Sequence, residues 1–151
     1  MKHPKWTRRL FSEADLDAIA AAVHEAERHT SGEIRVHLER RLPRATDVLA
    51  RAAQVFNHLN MHATAERNGV LLYLAVEDRK LAIVGDRGVH ARVGEAYWPR
   101  VRDAMVERLR AGAPREAVVH AVTDVGLVLQ TLFPRRPDDR NELSDDVSLG
   151  G

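Results

Sequence analysis

The sequence predicts a single α/β domain whose central strand is covered on both faces by helices. Apolar residues recur at helical spacing in four stretches, and one run alternates polar with apolar side chains as a strand does. A third kind of run is apolar at every position, the mark of a strand buried on both sides. The chain has 151 residues, within the usual size of one domain and long enough to bury well over half of its unfolded surface. It can therefore fold without staples. It has no cysteine, so disulfides, thiolate catalysis and sulfur-ligated zinc or iron–sulfur sites are excluded.

The first helix is announced by Ser12, an N-cap with Asp15 three residues on, and by Phe11 and Leu16 at the staple positions. Leu16, Ile19, Ala20 and Val23 form its buried stripe, leaving Glu25, Glu27 and Arg28 exposed, and it ends near Thr30, before Gly32. Glu33 to Glu39 alternates, so Ile34, Val36 and Leu38 face the core and the opposite face is charged. After Pro43 a second helix, from about Thr46 to Asn60, carries Val48, Leu49, Ala52, Val55, Phe56 and Leu59 on one stripe. Residues 62–68 read as loop. Val70 to Val76 is the fully apolar strand, and Glu77-Asp78-Arg79 turns it into Leu81 to Val84, an antiparallel hairpin closed by Gly85-Asp86-Arg87-Gly88. Two further helices follow, about Glu95 to Arg110 and Pro114 to Leu132, the second opening on a proline whose missing N–H costs nothing there. Beyond Pro134 the chain turns polar and acidic and reads as an extended or disordered tail. The divisions are thus 1–11 as an N-terminal extension, 12–134 as the folded domain and 135–151 as the tail.

Charge excludes some functions. Lys and Arg number 23 against 22 Asp and Glu, a formal net charge of +1, which gives no broad field to gather a nucleic acid. The amino terminus is basic but leads into Phe11-Ser12-Glu13-Ala14-Asp15, with no apolar core of a secretory signal. No run is long and apolar enough to span a bilayer. A cytoplasmic location is expected by default. There is no phosphate-binding P-loop, no dinucleotide fingerprint and no serine elbow, so no catalytic residue is assigned.

The densest chemistry surrounds the hairpin. Arg67-Asn68-Gly69 enters it and Gly85-Asp86-Arg87-Gly88 leaves it, at the same end of the sheet. Asn68 and Asp86 offer oxygens for a hard cation or for capping a neighbouring helix, and turn chemistry alone also explains both segments. Glu33 opens the first strand and Glu95 opens a helix, where the dipole favours a carboxylate. With Asp86 these two would supply the oxygens a calcium or magnesium ion needs, provided that they converge. His58 and His62 are four apart, but Leu59-Asn60-Met61 between them lacks the glutamate of a zinc-protease helix, so no zinc is proposed. His24, His29, His37, His90 and His120 read as surface or capping groups.

Ser31-Gly32-Glu33-Ile34-Arg35-Val36, Arg67-Asn68-Gly69-Val70-Leu71-Leu72 and Ile83-Val84-Gly85-Asp86-Arg87-Gly88-Val89, in this order and spacing, resemble the TPM-domain family. Trp98, Phe133-Pro134, Asn141-Glu142-Leu143 and Val147-Ser148-Leu149-Gly150 fit its short bacterial members. The resemblance implies a three-layer α/β/α sandwich with a small mixed sheet, and a divalent cation, Ca²⁺ or Mg²⁺, near the loops at one sheet end. A plant relative is described as an acid phosphatase, and other relatives sit in membrane-associated proteins. Arg67 stands where longer relatives carry an aspartate, so position 67 cannot be a metal ligand.

The expectation is a non-catalytic, divalent-cation-binding interaction module with a protein partner, cytoplasmic and peripheral to a membrane. Its cation ligands are Glu33, Asp86 and Glu95, and Arg67, Asn68, Gly69, Gly85 and Gly88 shape the site. A metal-dependent acid phosphatase and a metal-free scaffold docking through the tail Asp138 to Asp146 are the alternatives.

Overall fold

The computed structural model describes residues 3–135 and 147–150. A short 3-10 helix, Lys5–Arg9, precedes α1 (Glu13–Glu27), β1 (Glu33–Glu39), α2 (Val48–His58), β2 (Gly69–Ala75) and β3 (Lys80–Gly85). Then come α3 (Arg87–Val93), α4 (Tyr97–Arg110), α5 (Pro114–Leu132) and β4 (Ser148–Gly150). The start of α1 is the predicted capping box: the Asp15 N–H donates to Ser12 Oγ at 3.0 Å and the Ser12 N–H to Asp15 Oδ2 at 2.9 Å. Asp47 caps α2 from one side only, accepting from the N–H groups of Leu49 and Ala50.

The sheet has the order β3-β2-β1-β4. β2 runs parallel to β1 and antiparallel to β3, and β4 lies parallel to β1. Side-chain alternation then sorts the two cores. Ile34, Val36 and Leu38 of β1, Val70, Leu72 and Leu74 of β2, and Leu81 and Ile83 of β3 meet the apolar stripes of α1, α4 and α5. Leu71, Tyr73, Ala75 and Ala82 meet Ala52, Val55 and Phe56 of α2 on the other face. This is the mixed-sheet α/β/α sandwich that the sequence implies.

Four local expectations change. Glu27 is buried: its carboxylate accepts the Ile34 N–H at 2.7 Å and ties the end of α1 to β1. The charged face of β1 is not solvated either: Glu33, His37 and Glu39 are buried, and Arg51 of α2 reaches across to Glu39. Residues 87–93, read as the close of the hairpin and its sequel, form α3, with Asp86 as its N-cap. Finally, Ser148–Gly150 is a strand paired with His37–Glu39, and the Arg40 N–H donates to the Gly150 carbonyl at 3.2 Å. The acidic run Asp138 to Asp146 lies outside the described residues.

Candidate functional site

The register places the start of β1, the start of β2 and the end of β3 together, since Glu33 lies opposite Gly69 and Val70 opposite Gly85. The two segments singled out in the sequence are therefore neighbours. The Asp86 N–H donates to the Gly69 carbonyl and the Gly88 N–H to the Arg67 carbonyl, both at 2.9 Å. Glycine at 88 is dictated by that approach: a Cβ there would lie 2.2 Å from the Glu66 carbonyl oxygen. At 85 a Cβ would lie 2.2 Å from the indole of Trp98. These glycines, like Gly69 against the Met61 carbonyl, admit neighbouring protein atoms.

Asp86 is buried and fully engaged. Arg67 Nε donates to Oδ2 at 2.8 Å and Arg67 Nη2 to Oδ1 at 3.2 Å, a forked ion pair. The Arg87 N–H donates to Oδ1 at 2.8 Å as the helix cap. Burial pushes the Asp86 carboxyl up, but the Arg67 hydrogen bonds and the Arg87 N–H together outweigh it and hold the group below the ordinary carboxylate range. Arg67 reaches this place from a left-handed backbone position, φ 51°. Its Nη2 also lies 2.7 Å from His62 Nδ1. A guanidinium only donates, so Nδ1 accepts, and His62 Nε2 carries the proton toward Asn57 Oδ1.

Asn68 is buried beside this pair and joins the loop to β1. Its N–H donates to Thr64 Oγ1 at 3.1 Å, and its Nδ2 donates to Ser31 Oγ at 3.1 Å, which in turn donates to Glu66 Oε2 at 2.6 Å. The Asn68 carbonyl accepts the Glu33 N–H. Its role is to fasten the strand starts.

The structure does not gather the three predicted cation ligands. Glu33 is buried at the start of β1, whereas Glu95 is exposed in the turn before α4 and lines a cleft with Gly85 and Trp98. Among the described residues no group of three His, Asp or Glu side chains is placed to hold a metal ion. The residues present therefore do not fit the cation that the family resemblance implies: the acids do not form a ligand group, and an ion at Asp86 would compete with a guanidinium. The two histidines four apart also diverge, His62 toward Asp86 and His58 into a cleft with His37 and Glu39.

That second cluster escaped the sequence reading. Glu39 accepts Arg51 Nε at 2.9 Å, Arg51 Nη2 at 2.7 Å and the Tyr73 hydroxyl at 2.6 Å. His37 stacks on Tyr73 and bonds Ser148 Oγ through Nδ1 at 2.9 Å. Burial pushes the imidazole down to about 4, despite the carboxylate of Glu39 nearby. The available signal was Tyr73, the one polar atom in an otherwise apolar strand, which needs a partner when buried.

The sequence matches the family model described as the TPM domain over residues 7–128. No curated protein matches it. Among solved structures, the BA42 protein of the psychrophilic bacterium Bizionia argentinensis is 38% identical, covering 93% of this chain and 95% of its own, with a TM-score of 0.84. The N-terminal domain of a P. gingivalis protein is 20% identical, covering 84% and 82%, with a TM-score of 0.67. The N-terminal domain of the cg2496 protein of Corynebacterium glutamicum is 17% identical, covering 85% of each chain, with a TM-score of 0.61. The last two share the fold. The family match spans most of the chain, and with the BA42 likeness it establishes that this protein belongs to the TPM-domain family.

Proposed function

We propose that the chain is a non-catalytic interaction domain whose sheet-end loops are held in shape by its own Arg67 instead of a divalent cation. The observation that supports this reading is the forked Arg67–Asp86 pair. Asp86 is the acid around which a cation site would be built, and its two oxygens are taken by a guanidinium and a helix N–H. A hard cation takes six or more oxygens, and one drawn to Asp86 would compete with a guanidinium already held there by a two-point hydrogen-bonded ion pair. The phosphatase alternative needs a metal-activated water, so it meets the same obstacle. An interaction role is supported instead by the open β3 edge of the sheet. Among the described residues no helix is long and apolar enough to cross a membrane.

Thermal melting with calcium or magnesium chloride tests the reading, because a ligand of the native state raises the midpoint. The wild-type midpoint is expected to stay where it is. Arg67→Asp, which exchanges the guanidinium for a carboxylate beside Asp86, is expected to melt lower in chelator and to recover with added metal. A wild-type rise that Asp86→Ala abolishes would sink the proposal, as would p-nitrophenyl phosphate turnover lost in the same variant.

A further inference from the structure

β3 ends the sheet, and the direction of its free backbone groups follows from one bond. The Asp86 N–H donates to the directly opposite Gly69 carbonyl, and hydrogen-bonded pairs alternate along an antiparallel ladder. Val84, Ala82 and Lys80 therefore turn their backbone groups toward β2, and Leu81, Ile83 and Gly85 turn theirs outward. Among the described residues no hydrogen bond reaches these outward groups.

The edge is walled on both sides. Along Leu81 to Gly85 a cleft of about 340 Å³ lies between Leu49 of α2 and Trp98 and Pro99 of α4. Leu49 is 57% exposed, one of two large apolar side chains left so open among the described residues. At the Lys80 end a second cleft, about 570 Å³, has an apolar floor that includes Leu74, Leu81 and Leu109. Its rim carries Arg79, Lys80 and Arg110, and no acidic side chain lines it. Among the described residues none of these three cations forms an ion pair. A lysine in the middle of an edge blocks an added strand. Lys80 stands at the start of β3, where it borders the strand's path.

The geometry points to β3 as a docking edge for an extended segment of a partner protein, apolar toward the clefts and carrying a carboxylate where it passes Arg79, Lys80 and Arg110. Charge complementarity selects this occupant. Recognition divides as it does in strand addition generally: main-chain bonds to Leu81, Ile83 and Gly85 hold the segment, and the clefts and the cations choose it. The inference rests on the interaction-domain reading and gives that reading a surface and a class of partner.

The test follows backbone amide shifts and hydrogen exchange of the full-length chain titrated with a synthetic peptide of alternating valine and threonine ending in glutamate. A peptide ending in lysine is the comparison. Slowed exchange at Leu81, Ile83 and Gly85 is expected, with binding of the lysine peptide several-fold weaker, since reversing the charge turns an attraction at three exposed cations into a repulsion. Arg110→Glu, an exposed change that leaves the core intact, is expected to shrink the preference, since Arg79 and Lys80 still face the segment. Undisturbed β3 amides at saturating peptide, or equal binding of the two peptides, would overturn the proposal. So would amides already protected without peptide, whether by a second copy, seen as dependence on protein concentration, or by the chain's own acidic run 138–146, seen as independence from it. Peptide binding mapped to another surface would remove the β3 site and leave the interaction-domain reading standing. Metal-dependent turnover would remove that reading without touching the peptide result.

Discussion

At Asp86 two demands meet in one carboxylate, which caps α3 through the Arg87 N–H and anchors Arg67 across the hairpin. The two roles separate by mutation. Asparagine caps a helix about as well as aspartate, so Asp86→Asn keeps the cap and loses the ion pair, whereas Asp86→Ala loses both. Urea unfolding is expected to place the alanine variant below the asparagine variant by about 1 kcal/mol, the usual worth of a cap. Equal stabilities would mean that the cap contributes nothing. Arg67→Lys is expected to resemble Arg67→Ala in its melting temperature, because an ammonium cannot supply the fork that also reaches His62. The same residue occupies the carboxylate around which a cation site was expected.

Elements were legible in the sequence to the extent that their signal was local. The capping box of α1, the alternation of β1 and the apolar run of β2 each fix a strand or helix from a few neighbouring residues, and all three stand as read. What escaped was decided at long range. Arg87-Gly88 is a poor helix start by propensity, and α3 exists because Asp86 caps it and Gly88 lets it pack against the 66–67 loop. Three residues of β4 are too few for a pattern, and their strand character comes from pairing with β1. Glu27 and His37 looked exposed because periodicity shows which side a residue faces and not what covers that side. The candidate site divided likewise: the meeting of the 67–69 and 85–88 segments followed from the hairpin, while the failure of Glu33, Asp86 and Glu95 to converge is a matter of tertiary placement. The Gly88 contact supplies a test at this scale. Gly88→Ala puts a methyl within contact-forbidden range of two backbone carbonyls, and neither can retreat without moving β2. A loss above about 3 kcal/mol, or failure to fold, is expected; near-wild-type urea unfolding would show that α3 is not pinned to the loop.

For the whole molecule, the two sides of the sheet differ in kind. One is an apolar core under three long helices. The other has α2 alone and is partly polar, with His37, Glu39 and Tyr73 on the sheet and Arg51 of α2 meeting Glu39. This side makes stability depend on pH in a direction that can be worked out. His37 titrates at about 4 when folded against 6.5 ordinarily, so between these values the unfolded chain binds the extra proton. Stability is therefore full above about 6.5 and falls as pH drops toward 4. The depressed carboxyls of Asp86 and Glu39 add a second loss at lower pH, present above their unfolded values and gone once pH passes through their folded ones. Urea midpoints measured across this range are expected to decline for the wild type and to decline less between pH 6.5 and 4 for His37→Asn, which cannot take the proton. Parallel curves for the two proteins would place the acid sensitivity elsewhere.

The central position of β2 also carries a hazard. From Val70 to Val76 the chain has no charge and no proline, and every side chain is buried. Such a run, if a nascent or heat-opened molecule exposes it, is a template for cross-β assembly between copies. Arg67 precedes it, and Glu77-Asp78-Arg79-Lys80 follows directly. Charges so placed are gatekeepers, which raise the cost of stacking one copy on the next. The residues that turn the hairpin thus also guard the chain against amyloid, and replacing Glu77 to Lys80 by neutral turn residues would remove that guard even where the folded structure survived the change.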